Sequence, residues 1–231
     1  MPLKNAFPWF SAVSLLLLSA CRTDFLVDIY SSDLFIDESV STPAEMKFQI
    51  TSCDSDDRSE YERKTLALFA NQSNPKMIGC EEIGMTSLLV VAFDAEIVSS
   101  GARSNADVTL TRRRFDDERV DGDTYEVVGL VPTINPDFLR RVDALLSENY
   151  TSMSYEDLNV GLVLNNDERN TVFAQASDVW VDGKPYQNYD FKPLKRRQRI
   201  GLRYSYLFSD LLLRGNRPIA IKVYREKQVD T

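Results

Sequence analysis

The sequence contains no histidine, and this absence excludes several classes of enzyme. Without imidazole there is no Ser-His-Asp or Cys-His nucleophile and no common zinc site. Glycine is also scarce, with 9 in 231 residues, and no phosphate-binding loop or Gly-x-Ser-x-Gly turn occurs. We therefore expect a non-catalytic protein without a cofactor or a metal site. The remaining enzymatic alternative is a carboxylate-dependent enzyme that acts on glycans.

Basic residues are outnumbered, with 27 Lys and Arg against 35 Asp and Glu and a net charge of −8. Phosphate contacts require clustered basic side chains, so an acidic chain argues against nucleic acid as a partner. The hydrophobic fraction of 43% and the charged fraction of 27% are typical of a folded globular protein. We therefore expect a chain with a hydrophobic core rather than a disordered one.

The N-terminal apolar run is too short to cross a membrane. Residues 10–18 are apolar and follow Lys4, whereas a membrane-spanning helix needs about 20 apolar residues. A positive residue followed by a short apolar stretch is typical of a secretory signal peptide. Small residues and a cysteine follow, in the order Leu18-Ser19-Ala20-Cys21.

This order resembles the lipobox of bacterial lipoproteins. The resemblance covers residues 1–21 and implies a signal peptide of residues 1–20, cleavage before Cys21 and a covalent lipid on the Cys21 thiol, palmitate included. In enterobacterial lipoproteins an Asp after the cysteine favours the inner membrane, so Arg22 implies the outer membrane, with the protein facing the periplasm. The alternative is an ordinary secreted protein that is cut after Ala20.

Two cysteines remain after Cys21 is assigned to the lipid. In an oxidising compartment, Cys53 and Cys80 are expected to form a disulfide. A helix is predicted between them, over residues 58–70, because Asp57 and Glu60 match a capping box and Tyr61, Thr65, Leu68 and Phe69 share one face. The bond would join the two ends of this helix. A metal or redox role is not expected without a Cys-x-x-Cys motif.

The mature region, residues 21–231, is expected to be a single α+β domain of mainly antiparallel sheet with two amphipathic helices. The second helix is predicted to start at Asn135-Pro136-Asp137, with an apolar stripe that includes Phe138 and Val142. The strands are predicted at residues 25–30, 46–51, 87–98, 106–115, 125–131, 158–164, 171–181, 199–208 and 218–224. The order strand, helix, strand, strand recurs, which suggests two similar halves, residues 22–118 and 119–231.

Basic residues are concentrated near the C-terminus, against the acidic character of the whole chain. The candidate binding residues for an anionic partner, here called the basic patch, are Lys192, Lys195, Arg196, Arg197, Arg199 and Arg203. On a tethered protein such a patch fits anionic lipid headgroups, lipopolysaccharide phosphates or an acidic protein. The simpler interpretation is a solvated loop between polar strand faces. Tyr204 and Tyr206 would then lie on one aromatic face of the predicted strand 199–208.

These features favour an envelope lipoprotein that binds a partner as an accessory subunit of an envelope assembly. The alternative is a surface-modifying lipoprotein of the exclusion type, carried by a phage or a plasmid. The mature chain resembles uncharacterised lipoproteins of that kind, although no motif carries this resemblance. A carboxylate-dependent enzyme is a third hypothesis.

Overall fold

The computed structural model describes residues 23–54, 56, 58–84, 86–148 and 158–227. These residues form a mainly antiparallel sheet with helices, so the predicted α+β class is confirmed. The signal peptide with Cys21, and Asp57 of the predicted capping box, lie outside the described residues.

Twelve strands are present in the described part of the chain. They are β1 (Thr23–Tyr30), β2 (Val40–Ile50), β3 (Ser73–Ile83), β4 (Thr86–Ser99), β5 (Val108–Arg114), β6 (Glu118–Val120), β7 (Asp123–Ile134), β8 (Leu158–Asn165), β9 (Val172–Val181), β10 (Lys184–Leu194), β11 (Arg199–Tyr204) and β12 (Ile221–Glu226). The helices within the same ranges are α1 (Ser31–Leu34), α2 (Arg58–Leu68), α3 (Pro136–Ser147) and α4 (Tyr206–Leu213).

The sheet closes on itself. Neighbouring strands follow the order β10-β9-β11-β8-β1-β2-β4-β5-β7-β12, while β3 joins β4 and β6 joins β7. β12 also pairs with β9. This closure is possible because residues 172–175 of β9 pair with β12 and residues 179–181 pair with β11.

β1 pairs in parallel with β8, and this pair defines two ends of the molecule. Thr23 is opposite Leu158, and Tyr30 is opposite Asn165. We call these the Thr23 end and the Tyr30 end. β1 has eight residues and therefore seven residue-to-residue steps of about 3.3 Å. The two ends are thus about 23 Å apart.

The larger of two hydrophobic clusters joins the strands and helices. Phe25, Val27 and Ile29 alternate along β1 and are all buried, as a strand with one face against a core requires. Phe69, which follows α2, is fully buried and its ring contacts those of Phe48, Phe93 and Phe138. Since these rings belong to β2, β4 and α3, Phe69 packs α2 against both sheet and helix.

The second predicted helix is observed as α3, with the expected start. The Asn135 side chain accepts a hydrogen bond from the Asp137 amide, at 2.9 Å, and Pro136 is the first helical residue. This geometry satisfies one of the amide groups that a helix start leaves without a partner. The buried residues of α3 are Phe138, Val142, Leu145 and Leu146.

Two of the helices were not predicted from the sequence. One of them, α4, occupies the end of a predicted strand. The strand predicted over residues 199–208 ends at Tyr204, and α4 begins at Tyr206. Tyr204 is buried and Tyr206 is 69% exposed, so the two tyrosines do not form one aromatic face. The other missed helix is the single turn α1, which raises the helix number from the two predicted to four among the described residues.

β3 and β10 were also missed. Each pairs along its length with only one strand in the described chain, β4 and β9 respectively, and each contains proline, at Pro75 in β3 and at Pro185 and Pro193 in β10. Edge strands tolerate proline and lack the strong apolar alternation of a strand that is covered on both sides. Of the region interpreted as a solvated loop, the part that carries Lys192 is an edge strand, whereas residues 195–198 form a turn.

The two predicted halves share the core and the sheet. β1 of the first half pairs with β8 of the second, and β5 pairs with β7. The boundary between residues 118 and 119 falls inside β6. The strand pairing of the two halves also differs. β2, which precedes the helix of the first half, pairs with β4, whereas β7, which precedes the helix of the second half, pairs with β5 and β12. The duplication therefore stays a prediction from element order alone.

Candidate functional site: the basic patch and the two ends of the sheet

The basic patch lies on β10, β11 and the turn between them. All six of its residues are exposed. Lys192 is on β10, the turn carries Lys195, Arg196 and Arg197, and Arg199 begins β11. Arg199 is opposite Asn165, so this part of the patch is at the Tyr30 end. Arg203 is farther along β11, opposite Gly161, and is therefore closer to the middle of the sheet.

Backbone hydrogen bonds fix the shape of this turn. The Arg197 amide donates to the Asn166 carbonyl at 2.7 Å, and the Asn166 amide donates to the Gln198 carbonyl at 2.9 Å. Arg197 has a φ of 64°, a left-handed conformation that non-glycine residues adopt uncommonly. The Lys195 amide donates to the Gln198 side-chain oxygen at 2.8 Å. The cations are therefore held on a defined turn rather than on an irregular loop.

Asn166 connects this turn to the end of β1. Its side-chain nitrogen donates to the Leu194 carbonyl at 2.7 Å, and its side-chain oxygen accepts from the Ser31 hydroxyl at 2.9 Å. Asn166 is almost fully buried. Because all of these groups are satisfied inside the protein, Asn166 acts as a structural contact and not as a ligand-binding residue.

The charges of the patch are largely unpaired inside the protein. None of the six cations forms an ion pair within 4.0 Å of a carboxylate among the residues that the structure describes. Acids lie nearby. Asp182 accepts a hydrogen bond from the Gly201 amide at 3.0 Å, between Arg199 and Arg203 on β11, and Asp167 and Glu168 directly follow Asn166. The four cations nearest the Tyr30 end are Lys195, Arg196, Arg197 and Arg199.

Negative charge lies close to the patch, on Asp33 in α1 and on Asp37 and Glu38 in the connection from α1 to β2. Arg112, which is 3% exposed, holds this segment by donating to the carbonyls of Asp33 and Asp37 at 3.0 and 3.2 Å, and also to those of Ile36 and Glu38. Burial, followed by the charge of Arg114, lowers the pKa of Arg112. This buried arginine could not be predicted from sequence, because its partners are backbone carbonyls.

The two remaining cysteines are close together, as the sequence predicted. The Cα atoms of Cys53 and Cys80 are 5.7 Å apart, a separation suited to a disulfide. Cys53 precedes α2 and Cys80 lies on β3, so a bond would close a loop that contains the helix. Cys21 lies outside the described residues, and Thr23 is the first residue of the sheet.

An apolar surface on α4 was not predicted. Tyr206, Leu207 and Leu211 are 69%, 53% and 36% exposed, while Phe208 and Leu212 are buried on the other side of the helix. The Ser209 hydroxyl donates to the Leu158 carbonyl at 2.5 Å, which places α4 at the Thr23 end. Ser205 in the N-cap position and the ion pair between Asp210 and Arg214 are sequence signals that would have indicated this helix.

An open groove of about 660 Å³ lies on the solvent side of β1, β2 and β4. Three half-buried acids line it, Asp28, Glu45 and Asp94. The Asp94 carboxylate accepts a hydrogen bond from Asn74 at 2.5 Å. A carboxylate-dependent enzyme that acts on glycans would need a cleft of this kind. Substitution of these three acids would test that alternative.

No helix within the described ranges is long and apolar enough to span a bilayer. Likewise, no cluster of three or more Cys, Asp or Glu residues suited to a metal ion occurs in those ranges.

Comparison with known proteins identifies a family but not an activity. No curated protein and no solved structure matches the chain. A family model described as a domain of unknown function, DUF7424, matches residues 24–228, which include every strand and helix named above except the first residue of β1. The chain belongs to the DUF7424 family.

Proposed function

We propose that this chain is a lipid-anchored protein of the bacterial cell envelope that binds an acidic partner protein through the basic patch. It acts as a non-catalytic accessory subunit of an envelope assembly, with its lipid on Cys21 in the outer membrane. The observation that carries the proposal is the set of exposed cations on a fixed turn, without ion pairs to the described residues.

The position of the patch favours a protein partner over the headgroups of the anchoring membrane. A lipid on Cys21 would enter the membrane next to Thr23, whereas Lys195, Arg196 and Arg197 are at the other end of β1. The separation is about 23 Å, and electrostatic interactions are screened over about 8 Å at physiological ionic strength. A domain that stands on its Thr23 end therefore presents these cations to the periplasm.

The proposal is tested by crosslinking in intact cells. Three tagged proteins are compared with wild type: Cys21→Ser, a patch variant with Lys195→Glu, Arg196→Glu and Arg197→Glu, and a control variant with Arg63→Glu, Arg103→Glu and Arg119→Glu. The three control residues are exposed and lie outside the patch, and the control changes the net charge equally. We expect wild type and control to crosslink to the same envelope proteins.

The patch variant should remain in the membrane fraction and lose the crosslinked partner, while Cys21→Ser should leave the membrane fraction. The same complexes isolated without crosslinker should weaken as salt is raised, because the contact depends on charge. A patch variant that keeps the wild-type partners contradicts the binding site. Recovery of a single receptor-like outer-membrane protein would instead favour the exclusion-type alternative.

A further inference from the structure

We infer that the exposed face of α4, formed by Tyr206, Leu207 and Leu211, contacts the surface of the phospholipid bilayer and fixes the orientation of the domain on it. This inference rests on the proposed lipid anchor at Cys21. It assigns a second membrane contact, made by the folded domain itself.

The first argument is the position of α4 in the fold. Its buried side packs on β8 and β7, and Ser209 bonds to the carbonyl of Leu158. Leu158 is directly opposite Thr23 in the register of β1 and β8. Cys21 precedes Thr23 by two residues, which span at most about 7 Å. A lipid on Cys21 would thus bring the bilayer surface to the immediate neighbourhood of α4.

The second argument is the chemistry of the exposed face. Leu207 and Leu211 are four residues apart and therefore share one side of the helix, and Tyr206 is next to them. An apolar helix face lies naturally in the interfacial region of a bilayer, where the tyrosine ring is apolar at one side and its hydroxyl remains hydrated. Without such a contact, the apolar side chains of Tyr206, Leu207 and Leu211 remain exposed to water.

The third argument is the charge next to the helix. Arg217 follows α4 and is exposed. Basic side chains near a membrane surface are attracted by anionic lipids, and their long stems extend along apolar surface. Asp210 is the acid within α4, and Arg214 forms an ion pair with it at 2.8 Å. Within α4 itself, the negative charge of Asp210 is therefore offset by Arg214.

The experiment uses single-tryptophan reporters in the full lipoprotein. The chain has two tryptophans, Trp9 and Trp180, and removal of residues 1–20 leaves Trp180 alone. In a Trp180→Phe background, Leu207→Trp places a reporter on α4, and Tyr30→Trp places a matched reporter at the Tyr30 end. Both positions are exposed. The purified lipoproteins are reconstituted into phosphatidylethanolamine and phosphatidylglycerol vesicles that contain brominated lipid, and flotation measures binding.

We expect both lipoproteins to float with the vesicles. The Leu207→Trp reporter should shift its emission to shorter wavelength and lose most of its intensity to the brominated lipid, whereas the Tyr30→Trp reporter should change little. Equal quenching of the two reporters would overturn the α4 contact and leave the lipid anchor in place. If neither lipoprotein floats, the anchor itself is wrong, and the α4 inference fails with it.

Discussion

Two neighbouring carboxylates at the Tyr30 end have pKa shifts of opposite sign. Burial raises the pKa of Asp33, the charge of Asp167 raises it further, and Arg112 opposes the change. Burial also acts to raise the pKa of Asp167, but hydrogen bonds from Ser32 and Ser31 outweigh it, and the pKa lies below its ordinary value of 3.8. The difference arises because Ser31 and Ser32 donate to Asp167 alone of the two.

These shifts predict opposite effects for two matched substitutions. A depressed carboxyl pKa contributes stability above the unfolded value, and this contribution is lost as the pH falls through the folded pKa. Asp167→Asn should therefore lower the free energy of unfolding at neutral pH, with a gap to wild type that narrows in acid. A raised pKa has the reverse sign, so Asp33→Asn should raise the free energy of unfolding at neutral pH, and this gain should vanish by about pH 4.

Urea unfolding of the three proteins between neutral and acidic pH measures both effects. Each variant is the control for the other, because both remove one charge from the same contact. A change of the same sign in both variants at neutral pH would contradict the assignment of causes.

At the scale of single elements, a disulfide between Cys53 and Cys80 would constrain the segment that contains α2. The two cysteines are 27 residues apart in sequence. A loop of this length restricts the unfolded chain by about 3–4 kcal/mol in the chain-entropy model. We therefore expect Cys53→Ala with Cys80→Ala to lower the free energy of unfolding by about that amount, as measured by urea unfolding without reductant.

The control is the same measurement with reductant. Reductant should destabilise wild type and leave the double variant unchanged. Free thiols at Cys53 and Cys80 in the unreduced protein, detected by mass spectrometry after alkylation, would exclude the bond.

The elements that the sequence predicted correctly are those with strong local signals. The α3 start has an N-cap, a first-turn proline and a regular apolar stripe. In contrast, β10 is mostly exposed and pairs along one edge, so no apolar pattern distinguishes it from a loop. α4 was mistaken for strand because Tyr204 and Tyr206 alternate with polar residues, and a pattern of this length fits either structure.

The candidate site was predictable in part. Clustering along the sequence was sufficient to select the basic patch, because the short turn between β10 and β11 keeps residues 195–199 together in space. The contact of this turn with α1 through Asn166 was not predictable, because Ser31 and Asn166 are 135 residues apart. The apolar face of α4 could not be recognised while the segment was assigned to a strand.

On the scale of the whole molecule, the closed sheet predicts that neither half folds alone. A fragment of residues 119–227 would lack β1, the partner of β8, and β5, the partner of β7. The core would also lose the buried rings of Phe48, Phe69 and Phe93, which leaves a cavity next to Phe138. We expect this fragment to show no cooperative thermal unfolding by circular dichroism, while the whole mature chain unfolds in one transition.

The complementary fragment, residues 21–118, is measured in the same way. Mixing the two fragments should restore part of the cooperative unfolding transition, because β1 and β8 can then pair. Well-dispersed amide signals in the NMR spectrum of either isolated fragment would show that the halves are autonomous after all.

The parallel pairing of β1 with β8 also has a consequence for biogenesis. A chain delivered from its N-terminus presents β1 first, and the residues that complete its second edge follow about 135 positions later. At synthesis rates of about 5–20 residues per second, that delay is roughly 7–27 s. During this interval β1 has an open edge, and open edges are where strands of different molecules join. The long separation between β1 and β8 therefore makes association between newly made chains a hazard until β8 is available.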